Sequence, residues 1–522
     1  MGQLRDDEHP AGLDGRPVVV VGLGVTGQSV VRVLTGRGVS VTAVDSRDDA
    51  ERHDLATGLD RDGVRVRLGP AELGPEARLP SDVGLVVTSP GLRPDTPLLA
   101  TAVAAGVEVI GDVELAWRLR PVLPTGGHQQ WLAVTGTNGK TTTVRMLAAM
   151  LAAAGHRGAA AGNVGVPILA IVTDPEPYPV VAVELSSFQL YRSTTIAPLA
   201  AAVLNVAAHH LDWHDDLESY AAAKARIFAP GTVAVCNADD PRTVAMADAA
   251  LARPPAVPGL AVPPVPPGSA VPPERPGSAG RGPAARKVAF RLGPPGPGEL
   301  GVLDGRLVDR AFGAGPVSLA AVRDVRPAAP HNVADALAAA ALARAYGDEP
   351  ASIAAGLAAF VPEPHRIAHV AERAGVAFVD DSKASNPAAA AASLAAFPAI
   401  VWIAGGLFRG SDADLDALVV AAAPRLRAAV LIGTDAVRFG RALARHAPDV
   451  PVTELASTDT GVMDLATAAA AAAARPGDTV LLAPAAQSWD MFRDYQARGD
   501  AFAAAVRRLS DHADRQDHRE TR

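Results

Sequence analysis

Residues 132–147 read LAVTGTNGKTTTVRML: an apolar run of strand type, a glycine-rich turn closing on Lys-Thr-Thr, and a stretch of helical composition. Successive glycines expose backbone N–H groups, Lys140 supplies a point charge for β- and γ-phosphates, and Thr141 offers a hydroxyl to Mg²⁺. The position five before Gly139 is Val134, so the loop departs from the usual G-x-x-x-x-G-K-T spacing. A chance Gly-Lys-Thr on a surface turn is the alternative. The strand before it and the helix after it are the context that a triphosphate loop requires and a surface turn does not.

A second glycine turn, GLGVTG at 22–27, follows the apolar run VVVVG and precedes VSVTAVD, whose Asp45 lies eighteen residues past Gly27. Its glycines permit a tight turn and close approach of backbone to a phosphate at a helix N-terminus. Alone it suits a nicotinamide cofactor, any nucleotide diphosphate, or a purely structural turn. Two such turns in one chain point to two phosphate-bearing ligands.

Outward from these turns, short apolar runs alternate with alanine-rich helical stretches. GLVVTSPG at 84, VVAVELS at 180, AAVLNV at 201, TVAVCN at 232, VAFVDDS at 376, AIVWIAGG at 399, AAVLIG at 428 and DTVLLAPA at 478 all read as strands. Their hydrophobicity is continuous rather than alternating, which means burial on both faces and mostly parallel sheets between helices. The chain is α/β. Glu184 and His210 follow such strands, at the C-terminal sheet edge where α/β proteins place ligands, although each is also an ordinary edge residue by itself.

At 522 residues the chain exceeds one ordinary core, and domains of about 100–200 residues suggest roughly three. The net charge of −8 supplies no footprint for nucleic acid or an anionic membrane. A single cysteine, Cys236, excludes an intramolecular disulfide framework and suits a reducing cytoplasm. The start, MGQLRDDEHPAGLDG, lacks the basic and apolar regions of a secretory signal. The uncharged stretch 386–405 is broken by Pro398 and reads as turn, buried strand and glycine loop rather than a membrane span. Boundaries fall in the Pro/Gly linker after residue 118 and at VPEPHR, 361–366. The expected division is 1–118, 119–362, 363–510 and a flexible tail, 511–522, with a proline-rich mobile insertion at about 253–298 that is too poor in large apolar residues to fold.

Taken together, the motifs resemble a known family. GTNGKTT, GNVG at 162–165, ELSSFQL at 184–190, NVAAHHLDWH at 205–214, YAAAK at 220–224, HNVADALAA at 331–339, PHR at 364–366 and DDSKASN at 380–386 occur in the order found in the Mur ligases. These are ATP-dependent amide-forming enzymes of peptidoglycan precursor synthesis. GDVELAW at 111–117, IAGGLFRG at 403–410 and APAAQSWDMFRDYQARGDAF at 483–502 look like the branch that adds D-glutamate. No Asn-Pro-Arg motif of the diaminopimelate- or lysine-adding branches is present. The folylpolyglutamate branch shares the central loop but generally lacks a nucleotide-type domain ahead of it.

The resemblance implies three domains: an N-terminal Rossmann-like UDP-binding domain, a central P-loop ATPase-type domain with a mostly parallel sheet, and a C-terminal Rossmann-like domain. It implies that ATP phosphorylates the carboxylate of UDP-N-acetylmuramoyl-L-alanine and that D-glutamate attacks the acyl phosphate. Two Mg²⁺ ions are expected, as are a monomer in the cytoplasm and no nucleic-acid or membrane partner. Lys140, Glu184, His210 and Lys224 form the implied catalytic set. Thr141, Glu184, His210 and a carbamylated Lys224 form the implied metal set. ATP would meet Gly136, Thr137, Asn138, Gly139, Lys140, Thr141, Thr142, Asn332, Arg366, Asp381 and Lys383. Gly24, Thr26, Asp45, Ser46, Arg47, Gly91, Asn163 and His210 would hold the UDP substrate, and Ser385, Arg409, Ser488, Trp489 and Tyr495 would hold D-glutamate. Asp335 stands where a second asparagine is common, and Arg409 where a lysine is usual in this branch.

Overall fold

A computed structural model describes residues 15–163, 165–252, 286–455 and 459–520. Residues 1–14 of the polar N-terminal stretch, Val164 of GNVG, 253–285 of the proline-rich stretch and 521–522 of the tail lie outside them. The chain forms two compact units, Met1–Asp324 with Ala334–Ala359, and Val325–Val333 with Phe360–Arg522. Among the described residues the strands make three sheets, the α/β architecture expected.

In the first unit, β1 (Val18–Val21), β2 (Val41–Asp45), β3 (Arg65–Leu68), β4 (Leu85–Thr88) and β5 (Glu108–Gly111) form a sheet ordered β3-β2-β1-β4-β5. Every pairing in it is parallel. β1 is buried along its whole length because VVVV has helices to cover both faces, the arrangement that a continuous apolar run requires. The order reverses at β1, so its C-terminal end, where GLGVTG begins, opens on a switch-point crevice.

The central sheet comprises β6 (Gln130–Thr135), β7 (Gly158–Gly162), β8 (Val180–Glu184), β9 (Ala200–Val203), β10 (Val233–Asn237), β11 (Lys287–Phe290), β12 (Glu299–Leu303), β13 (Arg306–Asp309) and β14 (Val317–Ala321). Its order is β14-β13-β12-β11-β10-β9-β6-β8-β7. The sequence reading anticipates β6, β8, β9 and β10 but not the antiparallel ribbon β12–β14. Within the stretch read as a mobile insertion, Lys287–Phe290 is a strand paired in parallel with β10. That part of the expectation is corrected: Val288, Ala289 and Phe290 are buried, and this gain offsets the cost of ordering them.

The first two sheets share one hydrophobic core, in which Val20, Leu23, Trp117, Trp131, Ile168 and Leu190 all take part. The Trp117 and Trp131 rings meet edge to face at 5.1 Å. Beside them Glu114, on the helix Asp112–Arg118, is fully buried. Its carboxylate accepts the backbone N–H groups of Thr194 at 2.9 Å and Thr195 at 3.1 Å and the Nε–H of Arg118 at 2.9 Å.

In the second unit, β15 (Ala368–Arg373), β16 (Val376–Asp380), β17 (Ile400–Gly405), β18 (Leu426–Ile432), β19 (Val452–Leu455) and β20 (Thr479–Leu482) are ordered β15-β16-β20-β17-β18-β19. Only β15 runs antiparallel to its neighbour among these described pairings. The uncharged stretch 386–405 is a short helix, Pro387–Ala395, and then β17. No helix among the described residues is long and apolar enough to cross a membrane.

Removing Glu114 leaves two backbone donors and one face of Arg118 without an acceptor. Glu114→Ala is expected to lower the unfolding free energy by about 3 kcal/mol or more. Equilibrium urea denaturation measures it, and a loss below about 0.5 kcal/mol, the scale of an exposed substitution, would show that the buried carboxylate does not join the two sheets.

Candidate active site

The triphosphate loop leaves β6 at Thr135 and enters the helix Lys140–Ala153. Gly139 has φ 84°, and a Cβ there would stand 2.3 Å from Oδ1 of Asp335. Only glycine fits that turn. Asp335 therefore packs, buried, against the loop itself. The loop is tied down further by Asn205, whose Oδ1 accepts Asn138 N–H at 2.9 Å and whose Nδ2 donates to Asn138 O at 3.2 Å. Thr137 Oγ1 lies 3.2 Å from the Tyr220 hydroxyl. Asn205 and Tyr220 were not among the expected site residues, although both lie in the quoted motifs NVAAHHLDWH and YAAAK.

Five of the expected groups converge at this loop. Thr141 Oγ1 donates to Glu184 Oε2 at 2.9 Å, and Asn163 Nδ2 donates to Glu184 Oε1 at 2.9 Å. Glu184 ends β8 and is 2% exposed, so its carboxylate is both shielded and oriented from two sides. Lys140 Nζ donates to the carbonyls of Gly136 and Thr137, each at 3.0 Å. Lys224 Nζ reaches the same Gly136 oxygen at 2.9 Å.

Lys224 is 1% exposed and its amine lies 4.4 Å from the centre of the Tyr220 ring. Burial, and then the Lys140 charge, hold it well below the usual lysine range, while Glu184 pulls the other way. That shift is toward the neutral amine. His210 is an exposed residue in a left-handed conformation, φ 56°, at the start of the helix Leu211–His214. Its ring packs against Phe188 at 4.8 Å and His209 at 3.8 Å.

Among the described residues no three His, Cys, Asp or Glu side chains are grouped to hold a metal. One carboxylate, Glu184, and one hydroxyl, Thr141, stand together at the loop. Such a sparse set suits Mg²⁺, which keeps several waters and shares substrate phosphates, and does not suit a metal needing an all-protein cage.

At the first glycine turn, a Cβ on Gly27 would lie 1.7 Å from the Gly22 carbonyl oxygen, so helix and turn touch through backbone. Asp45, buried, accepts Leu23 N–H at 2.6 Å and Arg47 N–H at 2.9 Å. It shapes the turn by accepting from its backbone. Gly24, Ser46, Arg47 and Gly91 are exposed and Thr26 half-buried around it. The Arg47 guanidinium pairs with Asp49 at 2.7 Å and Glu51 at 2.8 Å.

In the second unit most of the expected groups follow the C-terminal ends of β16, β20 and β17, while Arg366 precedes β15 and Asn332 lies near the start of the helix Pro330–Tyr346. Lys383 lies 3.9 Å from the centre of the Tyr495 ring. Asp381 is buried and pushed up to about 6 by that burial. Ser385 is half-buried, Ser488 is buried, and Arg409 and Trp489 are exposed, the last at 65%. Arg366 Nε donates to Glu363 at 2.9 Å, and Asn332 Nδ2 donates to Pro327 O at 3.1 Å.

His209 is held down to about 3 by burial first and by His210, Lys140 and Lys224 after it. Between roughly pH 6.5, the ordinary histidine value, and that depressed value, the unfolded chain takes up a proton that the folded chain refuses. Stability therefore falls as pH falls through this window. His209→Gln is expected to flatten that limb of the stability curve, measured by urea midpoints from pH 7 to pH 4. An unchanged slope would mean that His209 is not the group responsible.

Comparison with known proteins agrees along the chain. Residues 16–111 match the model for the Mur ligase MurD-like, N-terminal domain, residues 134–256 the Mur ligase middle domain, and residues 365–486 the Mur ligase, glutamate ligase domain. A protein of Thermobifida fusca named UDP-N-acetylmuramoylalanine--D-glutamate ligase is 52% identical over 504 residues, 95% of this chain and 99% of the relative. One of Streptomyces coelicolor with the same name is 51% identical, over 96% of this chain and 99% of the relative. The solved structure of a pseudomurein peptide ligase type C from Methanothermus fervidus superposes with a TM-score of 0.52 at 17% identity, covering 95% of this chain and all of that one, a likeness of fold.

Proposed function

The chain belongs to the Mur ligase family, and from that premise we propose that it joins D-glutamate to UDP-N-acetylmuramoyl-L-alanine at the expense of ATP, in peptidoglycan precursor synthesis. The observation that carries this reading is the 52% identity, running over 95% of the chain, to a relative named for that reaction. The local chemistry supports it.

The γ-phosphoryl group of ATP passes to the terminal carboxylate of the UDP substrate, giving ADP and an acyl phosphate. The amine of D-glutamate attacks the acyl carbon, loses a proton, and the tetrahedral adduct expels inorganic phosphate to leave an amide. Two anions must meet in the first step, so repulsion is the barrier that the protein has to lower. Lys140 and the backbone N–H groups of Gly139 and Lys140, where the loop turns into its helix, take the triphosphate, and Asn163 and His210 steer the substrate carboxylate toward it. Thr141, Glu184, His210 and a carbamate on Lys224 would hold Mg²⁺, two ions in this proposal, which when bound neutralises phosphate oxygens. A carbamate needs a neutral amine to attack CO₂, and burial shifts Lys224 toward that form.

The remaining assignments complete the proposal. Gly24, Thr26, Asp45, Ser46, Arg47 and Gly91 bind the UDP part. Asn332, Arg366, Asp381 and Lys383 meet adenosine. Ser385, Arg409, Ser488, Trp489 and Tyr495 bind D-glutamate, with divisions near residues 118 and 362 and the work done by a cytoplasmic monomer.

Phosphate release, assayed with ATP, magnesium and UDP-N-acetylmuramoyl-L-alanine, is expected to depend on D-glutamate in a panel of amino acids. Release without any amino acid, or with another amino acid in its place, would overturn the proposal. Lys140→Met and Glu184→Gln are each expected to lower kcat by roughly 10²–10³-fold, the scale of losing one preorganised charge. Lys224→Met is expected to be as damaging. For the unsubstituted enzyme, carbonate-free buffer should lower the rate and bicarbonate restore it; indifference to bicarbonate would exclude the carbamate.

A further inference from the structure

Outside the triphosphate loop, several side chains in the first unit hold buried polar atoms without a hydrogen-bond partner, and Arg192 holds two. Arg192 follows the helix Ser187–Tyr191 and is 8% exposed. Its backbone is fixed, N–H donating to Gln189 O at 3.2 Å and its carbonyl accepting Gly111 N–H at 3.4 Å. Its Nε and Nη2 are nevertheless buried with no acceptor.

The neighbourhood deepens the deficit. The guanidinium carbon of Arg192 lies 5.5 Å from the centre of the Tyr191 ring, and that of Arg226 lies 5.2 Å from the same centre. Arg226 Nη1 spends its contact on a neutral group, the Tyr191 carbonyl at 2.5 Å. Trp213, whose ring meets Tyr191 edge-on at 5.2 Å, has a buried indole N–H that also lacks an acceptor. Around one phenol, then, stand two sheltered cations and three orphan N–H donors. No ion pair joins either arginine to a carboxylate among the described residues. Burial lowers the Arg192 pKa, and the only charged neighbour acting with that burial is the like charge of Arg226.

Stacking on Tyr191 offsets part of the cost of burying these charges, but it supplies no lone pairs for the orphan N–H groups. An unpaired buried charge is expensive and is retained where something pairs with it. We propose that Arg192, Arg226 and the indole N–H of Trp213 form a binding site for a phosphate-type oxyanion, separate from the triphosphate loop. A tetrahedral dianion carries the charge and the several acceptors that this donor set lacks, and guanidinium forks match it in shape. Free inorganic phosphate and the phosphoryl group of a small metabolite share that chemistry.

The test uses the full chain and two variants, Arg192→Met and Arg192→Lys. In chloride buffer without oxyanions, Arg192→Met is expected to melt above the wild type, because it removes an uncompensated buried charge. Titrated with inorganic phosphate, the wild type is expected to gain Tm in proportion to the logarithm of concentration, and Arg192→Met to gain less, closing or reversing the gap. Phosphate bound at the triphosphate loop contributes equally to both, so only the difference is read. Calorimetric titration should show phosphate affinity at this site weakened at least about tenfold in Arg192→Lys, which keeps the charge but loses the fork. A phosphomonoester as effective as phosphate identifies a metabolite's phosphoryl group; phosphate alone identifies the free ion. Parallel phosphate responses in wild type and Arg192→Met would mean that only water satisfies these donors, and would overturn the site. If Arg192→Met does not fold, Arg192→Lys and Arg192→Gln carry the same comparison.

Discussion

Two lysine amines press on a single carbonyl oxygen. Nζ of Lys140 and Nζ of Lys224 each donate to Gly136 O, and the site depends on how that crowding is resolved. Burial first, and the neighbouring Lys140 charge after it, push the Lys224 amine toward its neutral form. The proposed mechanism uses that difference: one amine to bind phosphate and one to be modified, from the same residue type. The carboxylate of Glu184, oriented by Thr141 and Asn163, supplies the opposing charge.

The fold surrounds this cluster with backbone constraint. Gly139 can adopt its conformation only because nothing projects toward Asp335, and Asn205 holds the loop from the adjacent strand end by two hydrogen bonds. Parallel strands bring β6, β8 and β9 to a common edge, so residues more than forty positions apart, such as Thr141 and Glu184, meet without long side-chain reach. Their preorganisation is inherited from the sheet.

Much of this was legible in the amino-acid sequence, for a physical reason. Strands buried on both faces must be continuously apolar, and β1, β2, β4, β6, β8, β9, β10, β16, β17, β18 and β20 all announce themselves in that way. β7, GAAAG, does not, because small residues carry little β-propensity. β3 and β19, with exposed or half-buried residues, lack the apolar run, and the ribbon β12–β14 alternates around turns that composition does not distinguish from loop. In the site, charged groups at strand ends were readable, whereas Asn205, Tyr220 and Asp335 act by fixing backbone or filling space. Such contacts arise only when distant segments meet. Arg192 was invisible for the same reason: an arginine after a helix usually reaches solvent.

The pairing of β10 with β11 bears on how such chains diversify. Residue 252 and residue 286 are the last and first described positions on either side of the proline-rich stretch, and each leads directly from or into an element anchored in the central sheet. The exit is therefore fixed by the β10–β11 register and the entry by a helix packed on those strands, rather than by the length of what intervenes. Closing a longer excursion between two pinned ends costs only about 0.6 kcal/mol for each doubling. Natural variation at this point is nearly free in stability, and the junction is a natural place to graft foreign sequence without disturbing catalysis.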